Sequence, residues 1–230
     1  DLLITPSAFH RERMLEIPID PDRIVSLPHG MDPAPFASPS RRPDPVKRIG
    51  FIGSVIPVKG VHVLIEAFRA LDRADLHLDI FGAMETFHDD QTYEQHLREQ
   101  AGGASNIKFH GAYTPEDVPR LLERVDVLVV PSLWWETFCL TIREGLLAGI
   151  PVVASDLGAM REALDGEQDG IFFRTGDPED LRNKLKRLID DDAYRGRFLN
   201  RGASVKSMTE YMEDLEDVYA NAIRISRERE

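Results

Sequence analysis

The sequence predicts an α/β protein built on a doubly wound, Rossmann-like parallel sheet. From residue 48 onward, short runs that are apolar at nearly every position alternate with helical segments of about ten residues. A strand apolar on both of its alternating faces is buried on both, which helices laid on each side of a parallel sheet achieve. The chain is also long enough: 230 residues, 42% of them hydrophobic, supply a sizeable core.

The elements follow in order. Leu2 to Thr5 reads as a short strand, Ser7 to Glu16 as a helix capped by Ser7, and Arg23 to Leu27 as another strand, together a small β-α-β piece over residues 1–32. Residues 28–47, PHGMDPAPFASPSRRPDPVK, carry six prolines and no helical or strand period, so a linker over 33–47 marks a domain boundary. Beyond it, over 48–206, the predicted strands are 48–54, 76–82, 107–111, 125–132, 151–155 and 170–174. The predicted helices are 61–71, an exposed one from Asp90 to Ala101, Pro115 to Arg124, Leu140 to Ala148, and Pro178 to Asp190. The last segment, 207–230, sets Met208, Tyr211, Met212, Leu215, Val218, Tyr219, Ala222 and Ile225 at three- and four-residue spacing, an amphipathic helix. It packs either on its own domain or across the boundary towards the N-terminal side.

Charge excludes some function classes. Lys plus Arg number 28 against 40 Asp plus Glu, a net charge of −12. Nucleic acid and anionic membrane both need a basic face, so neither is expected as a partner, and any phosphate ligand must be held locally. The single cysteine permits no internal disulfide, which agrees with a reducing cytoplasm. No apolar run approaches the ~20 residues of a membrane span, and no signal peptide opens the chain. Starting without Met, inside an apparent strand, the sequence reads as part of something longer.

In open α/β sheets ligands bind beyond the carboxyl ends of the strands, where helix N-termini offer free N–H groups and partial positive charge. After the first strand of the large domain comes GSVIPVKG, residues 53–60. It lacks GxGxxG and GK[ST], so it is neither a dinucleotide fingerprint nor a P-loop. What remains is Gly53, Ser54 and Lys59 just before a helix, suited to a point charge on a phosphate, or simply an exposed lysine at a helix start.

After the fourth strand comes WWETFCLTIREG, residues 134–145, in which seven residues separate Glu136 from Glu144. With a helix beginning near Phe138 to Leu140, its first N–H groups can grip an anion. Leu140, Thr141, Glu144 and Ala148 share one helix face, so Glu144 lies about one turn inside. A carboxylate accepts two hydrogen bonds from a vicinal diol such as a ribose, and Glu136 can do the same for a sugar hydroxyl. The alternative is that Glu136 complements the helix dipole and Glu144 is a solvated helix residue.

FIGSVIPVKG, IKFHGAYTPEDVP, DVLVVPSLWWETFCLTIREGLLAGIPVVASDLGAMREAL and DGIFFRTGDPEDL together resemble the C-terminal, donor-binding domain of family 4 retaining glycosyltransferases (glycosyl transferases group 1), which have the two-domain GT-B fold. The resemblance covers residues 46–205, and residues 1–32 look like the closing β-α-β of that family's N-terminal, acceptor domain. It implies that Glu144 holds the ribose of a nucleotide and Glu136 the donor sugar. It further implies that N–H groups of Phe138, Cys139 and Leu140 hold the distal phosphate, that Lys59 neutralises it, and that backbone around Gly111 to Tyr113 meets the base. The implied site is completed by Gly53, Ser54, Thr137 and Thr141, with Glu136 and Lys59 as its catalytic pair and with no metal.

Two positions depart from the family's pattern. Ser54 stands where arginine is common, which keeps a hydrogen bond and loses a charge. Cys139 stands where glycine or proline is frequent, either a somewhat reactive thiol at a helix start or a buried inert one. His88, Asp89, Asp90 and His96 match no standard metal spacing. Trp134 and Trp135 are candidates to stack on an acceptor sugar or to face a missing domain, with a core role open for one of them.

The expected activity is transfer of a hexose, with retention, from a nucleoside diphosphate sugar of UDP or GDP type to a glycan, lipid-linked or small-molecule acceptor. The expected setting is cytoplasmic, with peripheral membrane association open, no transmembrane segment and no other cofactor. The N-terminal GT-B domain is missing from this chain, which by itself is expected to transfer no sugar. A sugar-nucleotide epimerase or phosphorylase of the same fold, and a noncatalytic nucleotide-binding module, are the alternatives.

Overall fold

The computed structural model describes residues 2–36, 41–42, 44–84, 92–164 and 168–227. Strands β1 (Leu3–Thr5) and β2 (Ile24–Ser26) pair in parallel, joined by α1 (Ala8–Met14). The Ser7 hydroxyl caps α1 by accepting from the His10 N–H at 3.1 Å. This is the expected β-α-β piece.

The large sheet is formed by β3 (Arg48–Ile52), β4 (His77–Phe81), β5 (Ile107–Gly111), β6 (Val127–Val130), β7 (Val152–Ser155) and β8 (Ile171–Phe173). All are parallel, in the order β5-β4-β3-β6-β7-β8. The helices are α2 (Val61–Arg69), α3 (Tyr93–Ala101), α4 (Val118–Glu123), α5 (Leu140–Leu147), α6 (Ala159–Ala163), α7 (Pro178–Asp190), α8 (Asp192–Gly196) and α9 (Met208–Arg227). Alternate side chains of the strands feed two cores. Ile49, Phe51, Leu78, Ile80, Val127 and Val129 pack with α2 and α7, through residues such as Leu64, Leu181 and Leu185. Ile52, Phe81, Leu128, Val130 and Val152 pack with α4, α5 and α6, through Leu122, Ile142 and Met160. Burial on both faces is why the strands are apolar throughout.

From β3 the chain steps outward to β4 and β5, then returns to the other side of β3 for β6, β7 and β8. The reversal opens a crevice between the carboxyl ends of β3 and β6. Gly145 brings α5 down onto this part of the sheet, since a Cβ there would lie 2.6 Å from Leu128 and 2.8 Å from Val152.

Several elements differ from expectation. The segment predicted as a helix from Pro115 opens as a 3-10 turn, Pro115–Asp117, with Thr114 and Asp117 forming a capping box, before α4 begins. Two helices of five residues, α6 and α8, were not anticipated; neither is long enough to show a 3.6-residue period. The helix expected from Asp90 is described from Tyr93; its first residues lie outside the described ones, as do His88, Asp89 and Asp90.

The later part of the proline-rich stretch is fastened to the large domain. Arg41 donates from its N–H to Asn200 (2.9 Å) and from its guanidinium to the Leu122 carbonyl (2.9 Å), and accepts from the Asn200 amide (3.0 Å). Val46 is buried. The start of α9 lies against the other end of that stretch: Met31 bridges Ser207 in parallel, and a Cβ on Gly30 would come 2.4 Å from the Ser207 carbonyl oxygen. No residue of α9 is fully buried, and Met208, Met212, Tyr219 and Ile223 are exposed. The N-terminal piece also touches α6, where Glu162 accepts from the N–H groups of Ala8 (2.9 Å) and Phe9.

Candidate functional site

Close backbone approaches bring the loops at the crevice together. The Gly53 N–H donates to the Phe81 carbonyl (3.1 Å) and that of Gly82 to the Gly111 carbonyl (2.8 Å), tying the ends of β3, β4 and β5. A Cβ on Gly82 would sit 1.8 Å from the Gly53 oxygen, so no other residue fits. Gly60, at φ 70°, turns the chain into α2, and a Cβ there would lie 2.0 Å from the Pro131 oxygen. The loop after β3 therefore lies directly against the segment after β6, and the Leu133 N–H donates to the Val58 carbonyl at 2.7 Å.

That contact delivers Lys59 to Glu136. The ammonium lies 2.6 Å from Glu136 Oε1, and the buried Ser132 hydroxyl donates to the same oxygen at 2.8 Å. Ser132 has one proton, and its other two acceptors, the Val58 and Trp134 carbonyls, are both at 3.3 Å, so the charged oxygen is the one it serves. Both members of the ion pair are partly exposed, Lys59 at 33% and Glu136 at 19%, so a ligand can reach each.

The start of α5 faces the same space. No side chain caps this helix, and the N–H groups of Phe138, Cys139 and Leu140 donate no hydrogen bond among the described residues. Their direction is set by Arg143. Its guanidinium lies 3.5 Å from the centre of the Phe138 ring and donates to the carbonyls of Phe138 and, at 3.3 Å, Cys139. The peptides are trans, so tying those carbonyls to Arg143 turns the N–H groups of Cys139 and Leu140 the opposite way. Burial pulls the Arg143 guanidinium down to about 10. A desolvated cation in the first turn also opposes the helix dipole. Arg143 is the one charged residue between Glu136 and Glu144, and spacing alone assigned it no role.

Cys139 adopts φ 58°, ψ 76°, a left-handed conformation, which accounts for a position where glycine is frequent. Burial, with the charge of Glu136 second, pushes its thiol up to about 12, against the thiolate that a reactive cysteine needs, while the residue is half-buried and lines the cavity described next.

A cavity of about 420 Å³ collects Gly53, Ser54, Lys59, Glu136, Thr137, Phe138, Cys139, Leu140 and Thr141. Three predicted residues, Gly111, Tyr113 and Glu144, fall outside its lining. Glu144 and Tyr113 are nonetheless neighbours: burial raises the Tyr113 hydroxyl, with the Glu144 charge adding to it. Burial likewise raises the Glu144 carboxyl, and no hydrogen bond or ion pair reaches it among the described residues. A half-buried carboxylate without a partner is poised to accept from a ligand.

Two residues lining the cavity, Pro6 and His29, come from the N-terminal side of the linker and were not foreseen. Nothing periodic marks either one, His29 in the proline-rich stretch or Pro6 between β1 and α1. Neither tryptophan has the core role left open: Trp134 is 65% and Trp135 49% exposed. Trp135 instead meets the Phe9 ring edge-on at 5.8 Å, with Arg13 5.8 Å above it. His96 stacks on Tyr93, whose hydroxyl is 2.9 Å from His62. Among the described residues no group of three or more His, Cys, Asp or Glu can hold a metal ion, and no helix is long and apolar enough to cross a membrane.

The model of the glycosyl transferases group 1 family matches residues 36–205. Similar curated proteins include the phosphatidyl-myo-inositol mannosyltransferase of Mycobacterium leprae, 31% identical over 190 residues, covering 78% of this chain and 48% of that protein. Another is the D-inositol 3-phosphate glycosyltransferase of Salinispora tropica, 31% identical over 235 residues, covering 91% of this chain and 48% of that protein. The chain spans about half the length of the curated relatives it matches. Among solved structures, Anabaena Alr3699/HepE in complex with UDP and glucose has a TM-score of 0.85 at 21% identity, covering 96% of this chain and 63% of that one. Sucrose-phosphate synthase from Thermosynechococcus elongatus has a TM-score of 0.82 at 20% identity, covering 98% and 59%. Those identities speak to the fold. With the sheet order, the crevice and the family match in agreement, the chain belongs to the glycosyl transferases group 1 family, whose C-terminal, Rossmann-like domain it carries.

Proposed function

We propose that this chain is the donor-binding part of a retaining glycosyltransferase that moves a hexosyl group from a nucleoside diphosphate sugar to an acceptor hydroxyl. The observation that carries the reading is the Lys59–Glu136 pair at 2.6 Å, set beside the uncapped start of α5 in one cavity at the switch point of the sheet. A diphosphate leaving group gathers negative charge as the glycosidic bond breaks. Lys59, shared with Glu136, and the N–H groups of Phe138, Cys139 and Leu140 stabilise that charge. Glu136 accepts from a hydroxyl of the donor sugar. The ribose reaches outward to Glu144, with the base along Gly111 to Tyr113. Retention is assigned to front-face displacement, the leaving phosphate oxygen taking the acceptor's proton, so this domain contributes positioning and charge rather than a nucleophile. Residues 1–32 are read as the end of an N-terminal domain that brings the acceptor, with α9 crossing back towards it.

Calorimetry of the chain with UDP, GDP and ADP tests the binding step. One of the three should bind, and more tightly than its nucleoside. Release of free nucleotide, strictly dependent on an acceptor, should then appear when the domain is joined to an acceptor half. Failure of all three to bind would remove the donor site; binding without turnover in the joined protein would leave a noncatalytic module.

A further inference from the structure

We propose that His29 is a further ligand-binding residue, donating from its imidazole to the distal phosphate of a nucleoside diphosphate in the 420 Å³ cavity. The inference rests on the nucleotide-binding reading above and concerns a residue outside the large domain.

The charges available to an anion in this cavity are few. Lys59 is already engaged by Glu136 at 2.6 Å, and the first loop offers Ser54, a hydroxyl without charge. Arg143 is turned to the carbonyls of Phe138 and Cys139 and does not line the cavity. A diphosphate placed here meets N–H groups but little uncompensated positive charge. His29 lines the same cavity, is exposed to it, and makes no hydrogen bond among the described residues. Whichever its protonation state, one ring nitrogen carries an N–H able to donate to a phosphate oxygen.

Its position is also held. The ring stands edge-on to Phe138 at 5.0 Å between centroids and to Tyr211 at 5.8 Å. Phe138 contributes one of the free N–H groups at the start of α5, and it lines the same cavity as His29. Behind it, the Met31 N–H donates to the Lys206 carbonyl at 2.9 Å, and Gly30 fits against Ser207 and Tyr211 with no room for a side chain. The donor is therefore presented by a fixed backbone rather than a loose tether, which lowers the cost of ordering it on binding.

The test is calorimetry of the chain, His29→Ala and His29→Gln with UDP, GDP or ADP, whichever binds, and with the matching nucleoside. His29→Ala should weaken the diphosphate roughly ten-fold and leave the nucleoside unchanged. His29→Gln, which keeps an N–H donor, should recover part of the loss. Equal losses for diphosphate and nucleoside would mean a structural role and overturn the proposal, as would an unchanged diphosphate affinity. If the unsubstituted chain binds none of the three diphosphates, the nucleotide-binding reading falls and this one with it; if it binds and His29→Ala binds equally well, only this one falls.

Discussion

Lys59 and Glu136 lie 77 residues apart in sequence and 2.6 Å apart in space, bridging the ends of β3 and β6. Each is the nearest opposite charge to the other, so the pair is neutralised before any ligand arrives. A phosphate entering the cavity has to share Lys59 with Glu136.

Glu136→Gln should therefore separate the two halves of the ligand. With the carboxylate gone, Lys59 is released to the phosphates, and affinity for the plain nucleoside diphosphate should hold or rise. The sugar nucleotide should lose its advantage over the diphosphate, because the acceptor for the sugar hydroxyl is weakened by ~1.5–3 kcal/mol. Paired titrations check this, and equal loss for both ligands would place Glu136 away from the sugar.

Glu144→Gln should trade binding against stability. Burial raises the Glu144 carboxyl, so its ionisation costs the ligand-free fold. A group raised in the folded state supports stability below its unfolded value and loses that support as pH rises through its folded value. The variant should thus melt higher than the parent at neutral pH, with the difference vanishing below the ordinary glutamate range, while nucleotide affinity falls roughly ten-fold. Melting curves across pH, alongside calorimetry, decide it; a lower melting midpoint at neutral pH contradicts the assignment.

Arg143→Met should disturb the phosphates without touching them. Its two carbonyl contacts orient the N–H groups at the start of α5, so affinity for the diphosphate should fall about ten-fold while that for the nucleoside holds. Arg143→Lys should rescue poorly, since an ammonium lacks the planar fork that stacks on Phe138. Rescue to full affinity by lysine would show that charge alone matters.

The Cys139 thiol, pushed up to about 12, should resist alkylation in the folded chain at pH 8 and react at an ordinary rate once unfolded. Cys139→Gly should fold, because glycine takes φ 58° without the cost a side chain incurs. Rapid labelling of the native chain by iodoacetamide is the result that counts against this placement.

Asp79, within β4, is a buried charge of the large sheet, paired with Arg48 and His110, each at 2.7 Å. Burial pushes its carboxyl up, but the hydrogen bonds and charges of His110 and Arg48 outweigh that and hold it below the usual carboxylate range. A depressed carboxyl contributes stability that is present above its unfolded value and lost as pH falls through the folded one. Asp79→Asn should accordingly destabilise the chain by about 1–3 kcal/mol at neutral pH, and by less in acid below pH ~4. Denaturant melts of both proteins across that range test the sign.

Much of this was legible in the residues themselves. Strands buried on both faces must be apolar at every position, so the doubly wound sheet declares itself in the alternation of runs such as VDVLVV and IPVVAS with helical stretches. The spacing of Glu136 and Glu144 placed one in a loop and the other a turn into a helix, where the structure has them. Short α6 and α8 left no signal, having too few residues for a period.

What tertiary structure alone decided is which distant groups meet. Strand order put the loop after β3 beside the segment after β6, and the bare backbones of Gly60 and Gly82 let those loops close far enough for Lys59 to reach Glu136. The same packing brought His29 across from the N-terminal side of the linker to Phe138 and turned Arg143 inward on the backbone that its own helix begins from. Periodicity reports how each residue is buried by its own element, a local property. Contacts between loops depend on how crossovers stack and on a few tenths of an ångström of backbone clearance, which no local pattern encodes.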